Sequence, residues 1–362
     1  MKLIRKRFRD QAIALLTRAL ATDDGKSGMA KSLGGLLARR SFSFDDRVLE
    51  QAPYHDLTWH PQQSPACDRD VVVISSRFRS GSTLLWNILR EQRGVTAYYE
   101  PFNERRWFDT AARGSTVDST HLNVKDYWRE YDELSELGDY YREEWIDQDL
   151  FMDEHFWNGA MKRYIEILIE RSSGLPVLQF NRVDFRLPWL RRNFRQAKLV
   201  HLYRHPRDQW CSMLMDIGCY PKDSAESFAQ HDKFYLLRWA DDLKYHFPFL
   251  ADPGLHPYQL HYFIWKLSYL FGAQYSDLSV SFEALVERPE EQLAPLFDLI
   301  GLKDQFDFRG IAPLIERPTV GKWRRYADEE WFMTRERYCD EVLADFVLET
   351  KTAALNRLRA AV

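Results

Sequence analysis

The residues of this chain best suited to chemistry begin with the run Arg79, Ser80, Gly81, Ser82 and Thr83. An arginine presents a planar fork of donors that holds two anionic oxygens at once, and the serine and threonine hydroxyls add donors of their own. Gly81 allows close backbone approach. If this run enters a helix, its first N–H groups lack backbone partners and the positive end of the helix dipole lies among them, so the segment reads as an anion cradle. The alternative is a surface turn capped by Ser82 or Thr83. Beyond it lies Glu100, a carboxylate able to accept a proton. Arg204 and Ser212 form a second pair of donors, and Arg317 and Lys322 fall in a basic, glycine-containing stretch from Glu316 to Tyr326.

The surrounding residues must position these groups. Val71 to Ser75 is a strand-forming run and Leu84 to Leu89 an apolar helical pattern, so Asp70 to Arg90 reads as strand, loop and helix. Val95 to Tyr99 is a second short strand stopped by Pro101, which leaves Glu100 at a strand end, the edge where open parallel sheets hold ligands. A carboxylate there can instead pair with Arg105 or Arg106. A strand pattern resumes at Val177 to Phe180 and runs into Asn181 and Arg182. Lys198 to Tyr203 is an apolar strand that ends at Arg204, and Pro206 suits the start of a helix continuing from Trp210 to Met215. That geometry brings Arg204 and Ser212 near one helix N-terminal half.

At 362 residues, with 45% hydrophobic and 15% aromatic residues, the chain is long enough for one large α/β domain with insertions. A net charge of −4 gives no basic excess for nucleic acid, so an anion site must come from placed residues. Cys67, Cys211, Cys219 and Cys339 lack metal-ligand spacing, which predicts neither a zinc site nor a disulfide framework and points to a reduced, cytoplasmic setting. No apolar run reaches the roughly 18 residues needed to cross a bilayer. Residues 1–20 alternate basic and apolar side chains as a basic amphipathic helix, which either packs on the domain or lies on an anionic membrane surface. Residues 23–36 read as a flexible connection and 41–68 as an extended lead-in, so residues 1–67 precede a single domain from 68 to 362. Between about 104 and 174 lies an insertion. It is acidic and aromatic from Asp126 to Glu154, its apolar spacing predicts helices, and Ala160 to Glu170 is the clearest of them. Its acids can attract a cationic acceptor, and its rings can stack on sugars or amines.

Aligned with the nucleotide-triphosphate loop G-x-x-x-x-G-K-[ST] on Gly81 and Thr83, the sequence has Ser76 in place of the first glycine and Ser82 in place of the lysine. That departure argues against ATP or GTP and for a nucleotide held by an arginine and backbone amides, with no metal required. The R-S-G-S-T loop between strand and helix resembles the 5′-phosphosulfate loop of sulfotransferases that use 3′-phosphoadenosine 5′-phosphosulfate (PAPS). The pattern R-x-P-x-D with a serine after it, Arg204 to Ser212, resembles their 3′-phosphate element. Asp277 to Leu302 resembles their late strand, E-x-L and proline-started helix, with Phe282 where many relatives have a tyrosine that bonds to adenine. Glu316 to Tyr326 resembles the loop that folds over the nucleotide.

The resemblance, over roughly residues 68 to 330, implies a three-layer P-loop-like α/β fold with a central parallel sheet flanked by helices. It implies PAPS as donor and 3′,5′-ADP as product, with no metal. Arg79, Ser80, Gly81, Ser82 and Thr83 would take the 5′ end, Arg204 and Ser212 the 3′-phosphate, and Arg317 and Lys322 would add cations. Glu100 matches the general base of protein-tyrosine and many carbohydrate sulfotransferases. The histidine base of the phenol branch is absent, since Asn181 and Arg182 occupy its place. The implied acceptor is a glycan, a lipid headgroup or another non-phenolic hydroxyl or amine. Two other readings stand beside this one, a P-loop-type kinase or nucleotidyl transferase and a sulfotransferase-like nucleotide-binding protein without turnover.

Overall fold

The computed structural model describes residues 69–360 apart from 120, 122, 217, 219, 224–227 and 316–320, and of residues 349 and 351–360 the backbone alone. The expectations for residues 1–20, 23–36 and 41–68, and for Arg317, lie outside the described residues. The chain divides into two compact units. One comprises Gln62–Asp242 and Phe249–Val362; of the other, Met1–Pro61 and Leu243–Pro248, only residues 243–248 are described.

The larger unit is built on five parallel strands. They are β1 (Val71–Ser76), β2 (Val95–Tyr99), β3 (Leu175–Phe180), β4 (Ala197–Tyr203) and β5 (Leu278–Ser281), in the order β2-β3-β1-β4-β5. Register aligns Val72 with Val177, Val71 with Ala197, Val95 with Leu175 and Val200 with Leu278. All six residues of β1 are buried, which explains its unbroken apolar run: a central parallel strand is covered on both faces. Helices supply the connections that parallel strands require. α1 (Ser82–Arg90) joins β1 to β2, α2 (Gly159–Arg171) precedes β3, and α3 (Leu187–Asn193) joins β3 to β4. Between β4 and β5 lie α4 (Pro206–Met213), α5 (Leu236–Leu243) and α6 (Pro257–Tyr275). After β5 come α7 (Phe282–Glu287), α8 (Pro289–Leu299), α9 (Phe308–Ile311) and α10 (Glu329–Ala360). No helix among the described residues is long and apolar enough to cross a membrane.

α1 packs through Leu85, Trp86, Ile88 and Leu89, and the Trp86 indole donates to the Ala97 carbonyl at 3.0 Å, which ties the helix to β2. Its last residue, Arg90, grips Glu130 with two hydrogen bonds of 2.7 Å and Asp126 with one of 2.6 Å. The acidic, aromatic segment is therefore anchored to the helix of the cradle. It is helical in a different manner from the expectation: Arg129–Tyr131, Ser135–Asp139 and Glu143–Ile146 are short 3-10 turns, and α2 is its α-helix. Two of its tyrosines and one from α2 bond to backbone carbonyls. Tyr131, Tyr164 and Tyr141 donate to the carbonyls of Tyr99, Pro101 and Asn103 at 3.0, 2.7 and 3.1 Å. They satisfy carbonyls at the end of β2 and just beyond it, and so hold the backbone that carries Glu100.

Candidate active site

β1 and β4 are neighbours whose following connections run to opposite sides of the sheet, the switch point at which open α/β sheets form a crevice. Arg79 follows the first strand and Arg204 follows the second. The loop after β1 turns at Arg79 (φ 63°) and Gly81 (φ 87°), and Gly81 caps α1 without any side-chain hydrogen bond to the first turn. Ser82 and Thr83 are thus not caps, and α1 begins ahead of its apolar pattern. From α4, the Gln209 amide donates to the Phe78 carbonyl and the Ser80 hydroxyl, both at 2.7 Å. A β-carbon on Gly81 would lie 2.2 Å from the Phe282 ring, so the missing side chain lets Phe282 cover the loop.

The second donor pair meets the first directly. Arg79 Nε donates to Ser212 Oγ at 3.1 Å, and Arg204 Nη1 donates to the Arg79 carbonyl at 3.1 Å. The Arg204 guanidinium lies 4.9 Å from the centre of the Phe282 ring, and its buried Nε has no hydrogen-bond partner among the described residues. Burial lowers its pKa from the ordinary value, opposed by Asp208 and Glu283. Asp208 on α4 also accepts the N–H groups of Gly321 and Trp323 at 2.8 and 3.4 Å, which sets the turn carrying Lys322.

Glu100 directly follows β2 in a left-handed conformation (φ 39°) and is 6% exposed. Its Oε1 accepts Asn181 Nδ2 at 2.5 Å, and its Oε2 accepts Asn103 Nδ2 at 2.7 Å and Arg182 Nη1 at 3.2 Å. Arg182 also donates to Glu104 at 2.5 Å. The pairing with Arg105 or Arg106 does not occur: Arg105 donates to the carbonyls of Arg113 and Thr116, and Arg106 reaches Asp109 at 3.7 Å. Because β3 lies between β2 and β1, the residues after β3 reach Glu100 first. Burial raises the Glu100 carboxyl above its ordinary value, against the opposing effects of Arg182 and Asn103. Asn181 Oδ1 in turn accepts Ser82 Oγ at 3.2 Å, Ser76 Oγ at 3.0 Å and Gln179 Nε2 at 2.8 Å. One amide thus joins the carboxylate to the cradle.

A cavity of about 510 Å3 gathers these groups. Arg79, Gly81, Ser82, Thr83, Glu100, Arg204, Ser212 and Lys322 line it, together with Asn181, Arg182 and His121. Ser80 does not; it is buried beneath Gln209. His121 was invisible to pattern reading because it stands in an irregular segment with no strand or helix period. Its Nε2 lies 3.3 Å from Thr83 Oγ1, and Tyr99 Oη lies 3.0 Å from the same oxygen. A second groove of about 800 Å3, lined by acids and rings and by Arg106, Arg142 and Arg238, shares Glu104 and Tyr235 with the cavity. No cluster of three or more metal-ligating side chains occurs among the described residues.

A sequence profile described as the sulfotransferase family matches residues 71–307. Among solved structures, the sulfotransferase domain from the Synechococcus PCC 7002 olefin synthase is similar at 20% identity, over 76% of this chain and 94% of that one, with a TM-score of 0.35. The sulfotransferase domain from the curacin biosynthetic pathway is similar at 18% identity, over 70% of this chain and 79% of that one, with a TM-score of 0.36. No curated protein sequence matches significantly.

Proposed function

The chain belongs to the sulfotransferase family, and from that premise we propose that it transfers a sulfuryl group from PAPS to a hydroxyl or amine of a non-phenolic acceptor such as a glycan or a lipid headgroup. The observation that carries this reading is the union of cradle and carboxylate: Ser82 and Glu100 are joined through the single side chain of Asn181 and face one cavity. PAPS supplies an activated sulfur whose bond to the phosphate oxygen breaks as the bond to the acceptor oxygen or nitrogen forms. Glu100 takes the acceptor proton at a carboxylate oxygen. Arg79, Ser82, Thr83 and the first N–H groups of α1 hold the 5′ end and stabilise the negative charge that builds on the leaving phosphate. Arg204, Ser212 and Lys322 hold the 3′-phosphate. The groove of mixed charge and aromatic rings that meets the cavity at Glu104 and Tyr235 supports an acceptor entering from that side.

The test is Glu100→Gln. It is expected to keep binding 3′,5′-ADP in a thermal-shift assay while sulfuryl transfer falls by about 10²–10⁴-fold. Near-normal turnover would remove Glu100 from the base role. Stabilisation by ATP with magnesium but not by 3′,5′-ADP would overturn the donor assignment. Radiolabelled PAPS incubated with cell extract then identifies the acceptor by whether label enters glycan, lipid or protein.

A further inference from the structure

Arg182 carries one charge and meets two carboxylates. Its Nη1 donates to Glu100 Oε2 at 3.2 Å and its Nη2 to Glu104 Oε2 at 2.5 Å. The guanidinium lies 4.9 Å from the centre of the Phe78 ring and 5.6 Å from that of Tyr235, so rings rather than water surround it. The side chains of Arg182 and Glu100 are buried, whereas that of Glu104 is 46% exposed at the place where the cavity meets the second groove. Water still solvates Glu104, and Glu100 must draw its solvation from the protein. Two acids of one kind are thereby given different surroundings around a single buried cation.

A base paired only with a buried guanidinium takes up a proton at high cost, because the neutral acid leaves that cation uncompensated. We propose that Glu104 is a positioning residue, the standing counter-ion of Arg182, which lets Glu100 accept a proton without stranding the guanidinium. Before transfer, Glu100, Arg182 and Glu104 together carry one net negative charge. When the O–H or N–H bond of the acceptor breaks and its proton joins a Glu100 oxygen, the three become neutral and the ion pair of Arg182 with Glu104 is intact. Without Glu104 the same step leaves a lone buried cation, and Glu100 is held ionised and weakly basic. Only the consequence for turnover rests on Glu100 being the base, as proposed above. Burial opposes the charge of Arg182 and the two acids outweigh it, so its pKa lies above the ordinary value. Burial raises the Glu100 carboxyl, Arg182 and Asn103 oppose it, and Glu104 adds to it. Asn181 also donates to Glu100. Tyr99, Tyr127 and Tyr131 face Glu100, and Tyr141 and Tyr235 face Arg182; burial raises these phenols, which stay neutral at neutral pH. Arg79, Asp118 and Lys233 line the same cavity.

The role of Glu104 is testable without turnover. Carboxyl NMR of the full chain carrying labelled glutamate, with Glu100 assigned by loss of its signal in Glu100→Gln, should show the Glu100 midpoint falling by about one pH unit or more in Glu104→Gln. Glu104→Asp, which keeps the charge, should return it toward the parent value. An unchanged or higher midpoint in Glu104→Gln overturns the proposal. Glu100→Gln and Glu104→Gln each leave Arg182 one of its two carboxylates, and the double variant leaves it neither. Its Tm should therefore fall by about 2 °C or more beyond the sum of the two single effects. A Tm that is the plain sum overturns the proposal. In turnover, the acid limb of kcat/KM should move down with the NMR midpoint in Glu104→Gln. A limb that stays at the parent pH while the midpoint moves sinks the base assignment instead, and the midpoint and the double variant still decide the role of Glu104.

Discussion

Asn181 donates to Glu100 at 2.5 Å while its carbonyl oxygen accepts from Ser82 and Ser76. Asn181→Asp would set a second carboxylate against Glu100 and raise the pKa of the pair. Its rate against pH should show an acid limb moved upward by about one unit or more, with turnover at neutral pH reduced at least about tenfold. An acid limb at the parent position would show that Asn181 does not act on Glu100.

Burial holds the Glu100 carboxyl above its ordinary 4.5, so the folded chain keeps this proton to higher pH than the unfolded chain does. The stability contributed by the neutral group is full below 4.5 and is lost as pH rises through the folded value. Urea unfolding of the parent and Glu100→Gln, from about pH 4 to 8, should therefore show the parent losing ground to the variant as pH rises. Activity has the opposite sign, since a base must be ionised, and the acid limb of kcat/KM should lie above 4.5 and vanish in Glu100→Gln.

Gly81 combines a φ of 87° with a ring 2.2 Å from where a β-carbon would stand. Gly81→Ala should cost about 2–4 kcal/mol from left-handed strain and overpacking together. Adding Phe282→Leu should recover the overpacking part and leave the strain, which a double-mutant cycle in denaturant resolves. Strict additivity would show that the ring does not press on the loop.

Arg90 is nearly buried between Glu130 and Asp126. Arg90→Ala leaves the two acids with Arg129 as their remaining partner and should destabilise the fold by about 1–3 kcal/mol, read as a fall in Tm. Glu130→Gln added to that variant should recover part of the loss. No recovery would locate the damage in lost packing on Trp86, whose ring the guanidinium covers at 4.7 Å.

Much of the scaffold was legible. The strand, loop and helix from Asp70 to Arg90 could be read because a central parallel strand is apolar on both faces and a following amphipathic helix has its own period. Pro101 and Pro206 marked the ends at which Glu100 and Arg204 stand. The acidic segment was less legible. Its rings occur often enough to imitate an apolar helical face, yet Tyr131 and Tyr141 meet backbone carbonyls around Glu100 from a short turn and irregular chain, joined there by Tyr164 of α2. Phe282 read as a lost phenol hydrogen bond, and only the folded chain shows it packed on Gly81 and Arg204.

By itself, the sequence determined which groups the strand ends carry, because strand period, helix period and proline punctuation act over a few neighbouring residues. Tertiary structure alone decided which of those groups meet. Arg79 touches Ser212, 133 residues away, and Glu100 takes Asn181 and Arg182 rather than its neighbours Arg105 and Arg106. Strand order sets those partners, and strand order is the outcome of burying five strands in one sheet, which no local pattern along the chain encodes.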